Sequence, residues 1–280
     1  MDLSLHLEGT HVLVTGGAGH IGRTTVNAFL SAGAKVTSLD IAALPPPPDL
    51  ATNDNFFETQ TDISSQQSVE RAWNEAVLKF GPVETCVALA ALDLSVLPHF
   101  TTAADLPLEQ FRRTLEVNVL GTFAIAQQWL RGLRDRKASP IQKKLRNVSL
   151  VIIGSESGHW GERGNADYGT SKAAVQYGLL QSLRQDAPRI FEGARVNAVA
   201  PGPVNTPRFP EECAQNPDQF YEDCVATTAL GKPVEMEQVA KAILFLASDS
   251  YSGNVHGQIV NVDSGKVGKL LYTREKADAR

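Results

Sequence analysis

Tyr168 and Lys172, in the run Tyr168-Gly169-Thr170-Ser171-Lys172, carry the most legible chemistry of the chain. Residues four apart share one face of a helix, so an ammonium and a phenol can address one site. An unperturbed phenol ionises near pH 10 and is a poor proton carrier at neutral pH. A neighbouring cation favours phenolate, and a shift of about three units corresponds to about 4 kcal/mol of differential stabilisation. Tyr168 would then exchange a proton near pH 7. Ser155 lies 13 residues earlier, directly after the apolar run 148–153, where a buried strand would deliver it to the same end of the molecule.

A second constellation lies near the start. Thr15-Gly16-Gly17-Ala18-Gly19-His20-Ile21-Gly22 follows an apolar run and leads into a helical pattern. Glycines there permit a tight turn and let backbone N–H groups and a helix N-terminus approach a pyrophosphate. Asp40 closes the next apolar run, 24 residues after Gly16, where a carboxylate accepts hydrogen bonds from both hydroxyls of an adenosine ribose. Against a 2′-phosphate the same carboxylate costs about 1–4 kcal/mol at 4 Å, so NAD(H) is expected over NADP(H). Arg23 is expected on the helix flank, and the His20 ring in solvent with its backbone at the phosphates. A cationic nicotinamide beside Tyr168 would reinforce the effect of Lys172.

These residues need a scaffold, and the apolar runs supply one. Runs at 11–15, 35–39, 84–89, 148–153, 194–199 and 258–262, with a weaker one at 56–60, alternate with helix-length stretches. Continuous apolar strands alternating with helices predict a Rossmann-type α/β fold, a doubly wound parallel sheet of about seven strands with helices on both faces. Helices are expected over 20–33, 66–80, 107–135 and 235–248, the last burying Val239, Ile243, Leu246 and Ala247. The 107–135 helix aligns Phe111, Leu115, Asn118, Val119 and Thr122, which places a polar Asn118 on a core-facing stripe. Arg131 to Arg146 reads as a solvated loop, Pro45 to Pro48 as a stiff connector, and 266–280 as a polar, partly disordered tail. One domain over 1–280 is expected, with a proline-punctuated substrate loop at about 203–226.

Composition narrows the partners. With 26 Lys+Arg against 31 Asp+Glu, the net charge of −5 offers no basic field for nucleic acid or an anionic membrane. The start MDLSLHLEGT lacks the pattern of a secretion signal and no apolar run is long enough to span a bilayer, so a cytoplasmic location is expected. Cys86, Cys213 and Cys224 fit reduced thiols. His6, His11, His20, His99, His159 and His256 lack paired ligand spacing, and no metal is expected.

Taken in order, these motifs resemble the short-chain dehydrogenase/reductase family, in particular its classical subfamily, from about residue 8 to 265. The resemblance implies Tyr168 as general acid–base, Lys172 lowering its pKa and holding the nicotinamide ribose, Ser155 bonding the reacting oxygen and Asn118 positioning a relay water. It also implies that Gly16, Gly19, His20, Ile21, Gly22, Asp40, Ile41, Asp62, Ile63, Ala90 and Ala91 line the cofactor, with Asp62 and Ile63 at the adenine. Pro201, Gly202, Val204 and Thr206 would meet the carboxamide. Ser157, His159, Trp160 and Phe209 are candidate substrate contacts. A homodimer or homotetramer through helices around 107–135 and 167–187 and the C-terminal region is also implied.

The chain departs from the family pattern in three places. The glycine loop reads TGxxGxxG, as in the extended subfamily; Ala88-Leu89-Ala90-Ala91 replaces the usual Asn-Asn-Ala-Gly turn; and the Asn118-to-Ser155 spacing is long. The expected activity is NAD(H)-linked hydride transfer between a nicotinamide and a secondary alcohol or ketone. The alternatives are an epimerase or dehydratase that retains its NAD and, further off, a dinucleotide sensor without catalysis.

Overall fold

In the computed structural model, residues 4–42, 46–138 and 144–271 are described. The strands are β1 (His11–Thr15), β2 (Lys35–Asp40), β3 (Phe56–Gln60), β4 (Thr85–Ala88), β5 (Ser149–Ile153), β6 (Arg195–Pro201), β7 (Val204–Asn205), β8 (Val234–Glu235) and β9 (Ile259–Val262). Seven of them form one sheet in the order β3-β2-β1-β4-β5-β6-β9, with every neighbouring pair parallel. The order reverses between β1 and β4, which opens a crevice at the strands' C-terminal ends.

The helices are α1 (His20–Ser31), α2 (Pro48–Ala51), α3 (Gln66–Phe80), α4 (Leu108–Leu115), α5 (Thr122–Ala138), α6 (Ser157–Trp160), α7 (Ala166–Ala173), α8 (Leu180–Ile190), α9 (Phe209–Gln215), α10 (Met236–Ala247) and α11 (Asp249–Ser252). A π-helical turn at Glu116–Gly121 joins α4 to α5, and another at Ala174–Leu179 joins α7 to α8.

Alternation along each strand makes two cores. Leu13, Cys86, Leu150, Ile152 and Val196 face one side with Trp73, Trp129 and Leu180. Val12, Val14, Val36, Val151 and Val199 face the other with Val26, Phe29, Val239, Ile243 and Leu246. Each such aliphatic or aromatic side chain, fully buried, contributes about 1.5–3 kcal/mol, so the strands carry helices on both faces because both faces are apolar. The expected doubly wound seven-stranded sheet is the one observed, and α10 buries Val239, Ile243, Leu246 and Ala247 as its pattern indicates.

Three expectations change. Arg131 does not begin a loop: α5 runs on to Ala138 because Trp129 and Leu133 are buried and keep the helix on the sheet. Residues 139–143 of that stretch lie outside the described residues, and Leu145 beyond them is buried. The buried stripe of the 107–135 helix is Thr114, Val117, Asn118, Gly121 and Thr122, so Asn118 and Thr122 lie where expected, while Phe111, Leu115 and Val119 are only half-buried beside it. Residues 266–271 do not trail into solvent, since Lys266 is buried and pairs with Thr228 across an antiparallel bridge. Pro45 of the proline stretch, and 272–280 of the tail, lie outside the described residues, while Pro48 opens the single turn α2.

Candidate active site

The glycine turn is built by close backbone approach. Gly16 has φ +70° and its N–H donates to Leu39 O at 2.6 Å. A Cβ on Gly22 would stand 1.9 Å from Gly16 O, and one on Gly16 2.9 Å from Ala90 Cα, so α1 and the turn after β4 press on the loop from two sides. Gly19 is the N-cap of α1 and makes no side-chain cap, and no acid occupies the first helical turn. Free N–H groups and the positive end of a 12-residue helix therefore face the crevice, which fits a pyrophosphate. His20 is exposed at the first helical position and Ile21 is half-buried beside Gly22.

Asp40 Oδ2 accepts the Ala18 N–H and Oδ1 the Ala42 N–H, each at 2.9 Å, which fixes the carboxylate against the loop while leaving each oxygen a further lone pair. Ile41 next to it is 61% exposed, free to meet a ligand. Arg23 turns to the helix flank: its guanidinium donates to Glu58 at 3.1 Å and lies 5.7 Å over the Phe56 ring, and Ser38 Oγ donates to the same Glu58 oxygen. Arg23 Nη2 is thus engaged by Glu58, while its Nη1 is buried without a hydrogen-bond partner.

Asp62 accepts both the N–H and the hydroxyl of Ser64, and these bonds, with Arg113 nearby, hold its carboxyl below the usual range despite burial. Ile63 is buried against Gly121. Where the family's Asn-Asn-Ala-Gly turn is missing, Thr15 braces the chain instead, its hydroxyl accepting the Leu89 and Ala90 N–H groups at 3.0 Å. Ala90 and Ala91 are half-buried at this crossing.

Asn118, buried inside the first π turn, continues that bracing. Its amide exchanges two bonds with the Leu92 backbone, 2.7 and 2.9 Å, and donates a third to Ser171 Oγ at 3.0 Å. Its side chain is committed to holding the loop after β4 to the helix that bears Tyr168.

Ser155 follows β5 and is buried; its N–H donates to Gln176 Oε1 at 2.9 Å and its Oγ accepts the Ser157 N–H at 3.1 Å. Its hydroxyl hydrogen-bonds the Tyr168 phenol. Lys172 lies one turn on, its Nζ 5.7 Å from the Tyr168 ring centroid and donating to Ile153 O at 3.0 Å. All three expected groups therefore meet at the C-terminal end of β5.

Their acidities differ from the simple expectation. Burial pushes Tyr168 well above its ordinary value; the Ser155 hydrogen bond opposes this, and Asp93, Glu162 and Glu156 add to it. Burial also lowers Lys172 to about 8, with Asp93 working the other way. Within the chain, burial and three carboxylates oppose the phenolate, and a positive charge placed beside it would favour it.

Pro201 ends β6 and its carbonyl accepts the Glu156 N–H at 2.8 Å, which ties the next loop to the Ser155 turn. A Cβ on Gly202 would stand 2.8 Å from Asp263 Cα, and Thr206 N–H donates to Val204 O at 2.8 Å in the half-buried β7 ribbon.

The expected substrate contacts separate. Ser157 is buried and donates to Glu162 at 2.7 Å. His159 is held by Tyr177 and Asn261 rather than by the Ser155–Tyr168 pair. Trp160 is 48% exposed, and Phe209 is buried against Phe220 with ring centroids 6.4 Å apart. Sequence reasoning missed Gln176, although its four-residue spacing from Lys172 was a signal. It also missed Lys266 and Lys269, for which no local pattern exists.

Comparison with known proteins agrees with this geometry. A family model described as Enoyl-(Acyl carrier protein) reductase matches residues 16–266. A protein of Arabidopsis thaliana described as short-chain dehydrogenase reductase 3a is 32% identical over 270 residues, covering 93% of this chain and 96% of the relative. An acetoacetyl-CoA reductase of Synechocystis is 30% identical over 93% of this chain and 98% of its own length. The 3-oxoacyl-[acyl-carrier-protein] reductase FabG of Thermotoga maritima is 29% identical over 94% of this chain and all of its own. With its parallel sheet, glycine turn and Ser155–Tyr168–Lys172 group, the chain belongs to the short-chain dehydrogenase/reductase family of oxidoreductases, classical type.

Proposed function

We propose that this chain is an NAD(H)-dependent oxidoreductase that interconverts a secondary alcohol and a ketone, with Tyr168 as general acid–base. The observation that carries this is the buried meeting of Ser155, Tyr168 and Lys172 at the end of β5, facing the crevice that the glycine turn and Asp40 border. When bound, the nicotinamide supplies or takes the hydride and, when oxidised, brings a positive charge. Ser155 donates a hydrogen bond to the substrate oxygen. Tyr168 Oη takes the hydroxyl proton in oxidation and returns it in reduction. Lys172 holds the nicotinamide ribose and favours the phenolate, while Val204 and Thr206 hold the carboxamide. Asn118 keeps the loop after β4 at the site and with it the relay water.

NAD(H) over NADP(H) is supported by Asp40, whose carboxylate would repel a 2′-phosphate, and by the engagement of Arg23 with Glu58. One domain is proposed, with 203–226 as its substrate loop. A cytoplasmic location is proposed on the spacing and unpaired state of Cys86, Cys213 and Cys224. Among the described residues no helix is long and apolar enough to cross a membrane. A homodimer or homotetramer is supported by Leu120, Phe123 and Tyr177, which stand 61%, 42% and 48% exposed on the long helices.

The test is a panel of polyols, cyclic and aromatic alcohols, steroids and, following the relatives' names, a 3-oxoacyl thioester, each assayed with both cofactors at the reduced-nicotinamide absorbance. Turnover with at least tenfold higher kcat/KM for NAD(H) is expected. Turnover favouring NADP(H) would overturn the cofactor assignment, and tightly retained NAD without net reduction would overturn the reaction class.

A further inference from the structure

The segment after β9 folds back onto the site. Lys269 Nζ reaches Glu156 at 3.1 Å and Glu162 at 2.8 Å. Lys266 Nζ, fully buried, lies 3.2 Å from the other Glu156 oxygen as an ion pair and donates to Asp223 O at 2.7 Å. Glu156 stands between Ser155 and Ser157, and Glu162 accepts the Ser157 hydroxyl. The same segment is bonded to the wall of the substrate loop through Ala229 N–H to Gly265 O and Val267 N–H to Thr227 O. Buried charges in such number are costly unless paired, and removing one partner leaves another uncompensated.

We propose that Lys269 is a positioning residue for the reaction: by bridging Glu156 and Glu162 it fixes the Ser155–Ser157 turn and offsets the two carboxylates facing Tyr168, which makes Gly265–Leu271 part of the active site. This rests on the acid–base role proposed for Tyr168. Asp93 from the loop after β4 and Glu162 and Glu156 beside α6 act on this phenol, Lys172 stands over its ring from the same helix, and the two C-terminal lysines pair with Glu156. Asp223, from the π-helical turn Tyr221–Val225, completes the cluster, its carboxyl raised by burial against the pull of Lys269 and Lys266. Lys269 is held above its ordinary value: burial opposes its charge, and Glu156 and Glu162 outweigh burial.

The sign follows. A carboxylate near the phenol disfavours phenolate, so losing Lys269 should move the rising limb of the kcat/KM–pH profile for alcohol oxidation to higher pH. Lys269→Met is expected to raise that limb by about half a unit to one unit, and Lys269→Arg to leave it in place. Adding Glu162→Gln to Lys269→Met should bring it back. Should Lys269→Met fail to fold, Glu162→Gln alone, expected to lower the limb, tests the same coupling. Superimposable profiles, or a shift that Glu162→Gln does not reverse, would overturn the inference while leaving the role of Tyr168 intact. A wild-type protein whose turnover did not depend on Tyr168 would remove both.

Discussion

Asp40 shows how one side chain sets a specificity through position more than through type. Its two oxygens are already anchored by the Ala18 and Ala42 N–H groups, so it cannot swing away from a ligand at the ribose position. Replacing it by Ser removes the charge while keeping a hydrogen-bonding group. In parallel assays Asp40→Ser should lower the ratio of kcat/KM for NAD(H) to that for NADP(H) by about tenfold or more. An unchanged ratio would show that the discrimination lies elsewhere. Tyr168 makes the complementary point: type and spacing identify the proton carrier, but its acidity belongs to its surroundings. Burial and three carboxylates oppose the phenolate, and their effect on its acidity was not legible in the sequence.

Among the elements, the π-helical turns carry the most information about the site. Each inserts one residue's worth of rotation where a functional side chain must turn inward: Asn118 in the first, and Gln176, which accepts the Ser155 N–H, in the second. A strict 3.6-residue period placed Phe111, Leu115 and Val119 on the buried stripe, whereas packing buries Thr114, Val117 and Gly121 beside Asn118 and Thr122. Leu120 and Phe123 stand outward, on the helices proposed to join protomers. Wild-type protein should sediment as a dimer or tetramer, and Leu120→Glu with Phe123→Glu should lower the sedimenting mass. A monomeric wild type, or a double variant of unchanged mass, would contradict that interface.

For the molecule as a whole, the sheet was readable because its central strands are buried on both faces and announce themselves as uninterrupted apolar runs; the edge strand Phe56–Gln60, buried only at Phe56, left a weaker mark. Strand order places the glycine turn after β1 and the Ser155 turn after β5 on the same C-terminal edge, which is what unites two motifs 139 positions apart. Long-range ionic contacts were not readable: Lys266 and Lys269 look like ordinary tail lysines until the chain beyond β9 folds back on Glu156. The helix expected over 107–135 and the loop expected from Arg131 overlap in the sequence, and the burial of Trp129 and Leu133 decides between them in favour of the helix.

The account rests on proton transfer through the Tyr168 hydroxyl, and the most direct measurement is Tyr168→Phe, with steady-state turnover and NAD binding determined on the same preparation. The ring still fills its buried place, so NAD affinity should stay within about twofold while kcat/KM falls by about a thousandfold. Turnover that survives the loss of this hydroxyl would contradict the account.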